Sequence, residues 1–80
     1  MSNAVTDAAA AEPTEATFLA VIALDGKIRE VEETIEGDRQ LLSVIASYAE
    51  PAALLLVAGD IAKNVADLAL LRRTLTAIAN

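Results

Sequence analysis

The chain has 80 residues, with twelve Asp and Glu against six Lys and Arg, and it contains neither Cys nor His. A net charge of −6 opposes broad contact with nucleic-acid phosphates, so we expect no nucleic-acid partner. Without Cys or His, the chain lacks the disulfide, the usual zinc ligands and the commonest general base. We therefore expect no enzyme activity, no metal and no cofactor.

The composition predicts an all-α protein. Apolar residues make up 55% of the chain, yet it has one Phe, one Tyr and no Trp. Eighteen residues are Ala, which is a strong helix former, and strand-favouring aromatic or β-branched runs are scarce. A domain this short buries only about 60% of its unfolded surface, which makes oligomerisation the expected supplement to its core.

Residues 1–13, MSNAVTDAAAAEP, have no apolar period and are predicted to be an N-terminal tail. They lack a basic segment followed by an apolar core, so we expect no secretory signal. The predicted location is the cytoplasm by default, or outside the cell after export without a cleavable signal. Residues 14–80 are predicted to form the folded part of the chain.

A heptad pattern predicts a first helix over residues 14–49. The dipeptide Gly37-Asp38 resembles a helix stop followed by a new N-cap, but the pattern keeps its phase from Ile35 to Leu42, which favours one continuous helix. Asp38 is the polar member of this seam, where it either fixes register and partner number or marks a local break. The predicted heptad seam consists of Val21, Leu24, Ile28, Val31, Ile35, Asp38, Leu42 and Ile45.

The segment YAEPAA predicts a turn at residues 49–51, because Pro disfavours helix before it and is tolerated in the first turn of a new helix. A second helix is then predicted over residues 51–79. Two long helices joined by so short a link should fold back as an antiparallel hairpin. Tyr48, beside the turn, is predicted to close that end of the core.

The second predicted helix is apolar around well over half of its circumference, which is more than one partner helix can cover. Small residues within that surface would let another backbone approach closely. We therefore expect contact between chains, giving a multi-chain helical bundle or filament. The predicted self-association residues are Leu54, Ala58, Ile61, Ala62, Val65, Ala66, Leu68 and Ala69.

A membrane-associated helical hairpin is the first alternative, because residues 40–59 carry a single charge over twenty positions. Insertion would place Glu50 near the bilayer centre, at about 3 kcal/mol, beside a Pro that interrupts backbone hydrogen bonding. Only Arg39 and Lys63 flank the segment, without the asymmetry of basic residues that orients membrane helices. These features disfavour a membrane partner.

An acidic binding surface is the second alternative. Glu30, Glu33 and Glu36 lie within a run of carboxylates that would suit a basic partner protein, as in an inhibitor or an antitoxin-like protein. Interleaved Lys27, Arg29 and Arg39 favour a solvated helix face instead of a metal site.

The expected function is therefore that of a small non-catalytic helical protein that associates with itself in a structural or adaptor role, as a bundle, ring or filament subunit. Short Cys-free hairpins with a Pro-containing turn such as YAEPAA are similar in outline to type III secretion needle subunits. The chain departs from that outline because no paired prolines frame its turn and its second helix is relatively short. YAEPAA alone does not define a family.

Overall fold

The computed structural model describes residues 14–79, so the predicted tail of residues 1–13 lies outside the described residues. Within this part of the chain there are two helices, α1 (Glu15–Ile45) and α2 (Pro51–Ala79), which pack against each other. No strand is present between residues 14 and 79. The prediction of an all-helical hairpin is confirmed for these residues.

Thr14 caps the start of α1. Its backbone is extended, with φ −78° and ψ 165°, and its hydroxyl accepts a hydrogen bond from the backbone N–H of Thr17 at 3.1 Å. This bond satisfies one of the N–H groups that have no partner in the first turn of a helix. Glu15 then places a carboxylate at the positive end of the helix dipole. The cap explains why the helix begins at residue 15, one residue after the predicted start.

α1 runs without interruption through Gly37, so Gly37 and Asp38 do not break the helix. It ends at Ile45, four residues before the predicted end at residue 49. The carbonyl of Ile45 accepts hydrogen bonds from the N–H groups of both Tyr48 and Ala49, at 3.1 and 2.8 Å, which turns the chain. The predicted role of Tyr48 is wrong. Its side chain is 72% exposed.

α2 begins at Pro51, as predicted, and ends at Ala79. The carbonyl of Glu50 accepts hydrogen bonds from Ala53 N–H at 3.0 Å and Leu54 N–H at 3.2 Å. Pro at the first helical position loses nothing, because its missing N–H would have had no partner there. The connection between the helices is therefore the five residues 46–50, and it returns α2 antiparallel along α1.

The contact between the helices is best buried in the middle of the hairpin. Ile28, Val31 and Ile35 of α1 and Leu68 of α2 are 6 to 8% exposed. Partly buried side chains of α2 pack around this cluster: Ile61, Leu71 and Leu75. All eight positions of the predicted heptad seam of α1 are buried or half-buried in this contact, and Asp38 is one of the half-buried positions.

α2 contributes a heptad seam of its own to this contact. Its members are spaced alternately by three and four residues, as in a coiled coil, and each is buried or half-buried. The seam of α2 consists of Leu54, Val57, Ile61, Asn64, Leu68, Leu71 and Leu75. Apart from Ala53 in its first turn, the described residues of α2 outside this strip are exposed.

One ion pair joins the helices within residues 14–79. Arg72 of α2 donates to Glu32 of α1 at 2.7 Å, and both side chains are about half exposed, at 57 and 46%. Solvent screening limits such a pair to about 0.2 to 1 kcal/mol. Its main structural effect is to favour one register of α2 along α1.

Candidate interaction surface

The predicted self-association residues divide into two groups in the structure. Leu54, Ile61 and Leu68 lie in the seam of α2 that packs on α1 within the same chain, where they are buried or half-buried. The remaining five residues are exposed: Ala58, Ala62, Val65, Ala66 and Ala69. The prediction treated two adjacent strips of α2 as one surface, because both are apolar and they lie side by side.

The exposed strip forms a second heptad pattern on α2. Each member follows a seam residue by one position, which rotates it by about 100° around the helix. Leu55 is 72% exposed and Val65 is 44% exposed. We call this strip the outer stripe of α2, and it consists of Leu55, Ala58, Ala62, Val65 and Ala69. At about 1.5 Å per residue it extends for roughly 21 Å without a charged member.

Small residues leave the surface beside the outer stripe open. A Cβ built at Gly59 would meet no other atom within 4 Å, and Ala58, Ala62 and Ala66 project only a methyl group. Two helices that meet through such residues can approach to the close end of the usual 8 to 10 Å separation. The surface is therefore suited to a helix, which would bury backbone and methyl groups together.

A shallow groove between the two helices borders the outer stripe at Val65. Ile35 and Leu68 form its apolar floor, and charged groups of Glu32, Arg39 and Arg72 lie along it. An apolar centre next to charged and polar groups is the usual anatomy of a protein interface.

Exposed apolar side chains also gather at both ends of the hairpin. At the start of α1, Phe18, Leu19 and Ile22 are 53 to 60% exposed. Around the turn, a second group is 47 to 77% exposed: Leu41, Val44, Tyr48, Leu55 and Leu56. Contiguous apolar surface of this kind is uncommon on a monomeric protein and marks sites of association.

The predicted acidic face is exposed, and part of it is engaged within α1. Lys27 lies 3.5 Å from Glu30, and the amide of Gln40 donates to Glu36 at 3.4 Å. Glu33 is exposed as well. These contacts are short-range surface pairs, which contribute little to stability and exchange readily with solvent.

A polar layer crosses the helix contact between the turn and the buried cluster. Asp38 on the seam of α1 meets Asp60 of α2, and the amide of Asn64 donates to Asp60 Oδ2 at 3.2 Å. Asp38 Oδ2 is shielded from solvent and has no hydrogen-bond partner. A hydrogen bond that Asp38 can donate to Asp60 only when it is protonated raises the pKa of Asp38 above its ordinary value of about 3.8, and desolvation and repulsion from Asp60 act in the same direction.

Comparison with known proteins found no match for the chain. No protein-family model, curated protein or solved structure matches it. Function must therefore be inferred from the surfaces of the hairpin itself.

Residues 14–79 contain neither a cluster of metal-ligating side chains nor a helix that could span a membrane. Within that range, no three His, Cys, Asp or Glu side chains are grouped so that they could hold a metal ion. Neither of the described helices combines the length and the apolar character needed to cross a membrane.

Proposed function

We propose that this protein is a non-catalytic, self-associating helical hairpin with a structural or adaptor role, and that several copies pack into a bundle, ring or filament. The observation that supports this proposal best is the outer stripe of α2. It repeats the spacing of the seam that binds α1, but within the single hairpin it faces solvent. An amphipathic helix with two apolar strips requires two partners to cover both.

A second copy of the chain is the partner that fits the outer stripe. In residues 14–79 the outward face of α1 is occupied by charged residues between Asp25 and Arg39, so it offers no matching apolar strip. The outer stripe can instead meet its own copy in an antiparallel, two-fold arrangement, which is the commonest symmetry of homo-oligomers.

The sequence of α2 is complementary to itself in that arrangement. If Ala62 lies on the two-fold axis, residues equally distant from it meet, so Leu55 faces Ala69 of the second copy and Ala58 faces Ala66. The large side chain of Leu55 then lies against a small residue, and two small residues meet between that pair and the axis. The same register brings Arg73 to Pro51 of the second copy, beside Glu50, which places opposite charges at the two ends of the contact.

The proposal is tested by enlarging one residue of the outer stripe. Ala62→Leu should overpack the contact between copies and weaken it by about 1 to 3 kcal/mol. Helicity should be retained, because Leu is nearly as good a helix former as Ala. Sedimentation velocity over a range of concentrations measures assembly, and circular dichroism measures helix content. We expect smaller particles with unchanged helicity.

Ala77→Leu is the matched control, since it makes the same change at an exposed position of α2 beyond the outer stripe. It should leave particle size unchanged. A wild-type protein that stays monomeric at micromolar concentration, or an Ala62→Leu protein that assembles like the control, would contradict the proposal. In that case the acidic face of α1, with Glu33 at its centre, becomes the surface to test against a basic partner protein.

A further inference from the structure

We propose that the polar layer formed by Asp38, Asp60 and Asn64 is an acid-stabilised contact: the packing of α1 against α2 is more stable when the two carboxylates share a proton. This inference concerns the contact inside one hairpin. It is therefore independent of whether and how copies of the chain associate.

The position of Asp38 is the first support. Every other member of the seam of α1 is apolar, and a carboxylate at such a position weakens helix packing unless its polar atoms are satisfied. Asp38 Oδ2 is shielded from solvent and has no partner. An unpaired oxygen there is unfavourable while the group is ionised, because a carboxylate can only accept hydrogen bonds.

The facing helix supplies an acceptor where a donor would be needed. Asp60 is the carboxyl group of α2 that acts on Asp38 across the helix interface, and one of its own oxygens already accepts from Asn64 at 3.2 Å. When both carboxylates are ionised, they repel each other at this contact. When Asp38 is protonated, its O–H donates to Asp60, and the chain of hydrogen bonds runs from α1 through Asp60 to Asn64.

Among the described residues, no basic side chain neutralises Asp38 in place of that proton. α2 is the only described element packed against α1, and Asp60 is the charged side chain of α2 that acts on Asp38. Asp60 and the charged residues on the neighbouring turns of α2, Lys63 and Asp67, are all exposed. On α1, the adjacent Arg39 lies along the groove that borders Val65 and Leu68.

The direction of the pH effect follows from proton linkage. A carboxyl group whose pKa is higher in the folded hairpin than in the unfolded chain binds its proton more tightly in the folded state. Its contribution to stability is fully present below the unfolded pKa, and it is lost as the pH rises through the folded pKa. Acidification over that interval should therefore strengthen the hairpin.

The first test requires no substitution. The carbon-13 chemical shifts of the Asp carboxyl groups in the wild-type protein can be followed by NMR as the pH is lowered from about 7.5 to 3. We expect the midpoint of Asp38 to lie above the ordinary value for an Asp side chain, about 3.9. A midpoint for Asp38 at or below that ordinary value would overturn the proposal.

The second test replaces Asp38 by its uncharged analogue. Asp38→Asn has an amide that can donate to Asp60, so it imitates the protonated acid at every pH. Urea unfolding at pH 7 should show an equilibrium constant for unfolding that is lower by about threefold or more than that of the wild type. One proton changes that constant by at most about tenfold per pH unit. Near pH 4.5 this advantage should shrink.

Asp67→Asn is the control, because it removes the same charge from an exposed position and tests whether net charge alone explains the gain. Equal stabilisation by both substitutions would contradict the proposed acid-stabilised contact. An advantage of Asp38→Asn that does not change with pH would contradict it too, because the effect would then not depend on a proton.

Discussion

The contribution of the buried cluster can be measured by comparing two leucines of α2 that lie two residues apart. Leu68 is 8% exposed and packs in the cluster with Ile28, Val31 and Ile35, whereas Leu70 is 57% exposed. Leu68→Ala and Leu70→Ala make the same chemical change on the same helix. The two variants therefore differ in the packing that each one loses.

The structure gives different magnitudes for the two variants. Removing the buried Leu68 side chain loses about 0.8 kcal/mol for each methylene-sized group taken out of contact, and a cavity adds to the loss. The expected destabilisation is about 2 to 3 kcal/mol, at the low end of the range for Leu→Ala, because a two-helix core can collapse around the gap. For Leu70, with less than half of its surface covered, we expect less than about 1 kcal/mol.

Urea unfolding followed by circular dichroism, at one fixed protein concentration, measures both variants against the wild type. Leu and Ala have similar helix propensities, so the difference between the variants reports packing and not helix formation. If Leu68→Ala and Leu70→Ala were equally destabilising, the cluster around Leu68 would not be the main contact between the helices. If Leu70→Ala were the more destabilising, a contact outside the single hairpin would have to cover Leu70.

Two further predictions concern the ion pair between the helices and Gly37 of α1. Double-mutant analysis of Glu32→Gln and Arg72→Gln should give a coupling free energy of about 0.2 to 1 kcal/mol that decreases as salt is added, since both side chains are about half exposed. A coupling free energy unaffected by salt would contradict a screened surface pair. Gly37→Ala should stabilise the protein by up to about 1 kcal/mol, as measured by thermal unfolding. Gly37 lies inside α1, and an added Cβ would meet no atom within 4 Å. A loss of stability would show that another chain approaches Gly37.

The local features of the hairpin could be predicted from the sequence because they depend on neighbouring residues. Pro51 determines where α2 starts, since its ring restricts both itself and the residue before it. The spacing from Ile35 to Leu42 correctly indicated that α1 continues through Gly37. The end of α1 was placed four residues too late, because the turn depends on backbone hydrogen bonds to Ile45 that leave no mark in the heptad pattern.

Features that depend on the register between the helices could not be predicted in this way. The pairing of Arg72 with Glu32, and the meeting of Asp60 with Asp38, join residues more than twenty positions apart. Their alignment depends on how many residues the turn uses, and the turn was predicted too short. Leu68 is grouped with the exposed strip in the sequence analysis for another reason: the strip of α2 that faces α1 and the strip beside it are both apolar, and the sequence pattern does not separate them.

The five-residue connection between α1 and α2 also affects the order in which the hairpin can form. Contacts beside the turn, such as those near Ile45 and Leu54, close short loops, whereas bringing together Ile35 and Leu68, which line the same groove, must close a loop of about 33 residues. Short loops close at a lower entropic cost, so we expect contacts between the helices to form first beside the turn and then progressively farther from it. Pairing that starts there reaches Asp38 and Asp60 before it reaches the best-buried side chains, so the two acids meet early in folding, while most of the apolar contact is still unmade.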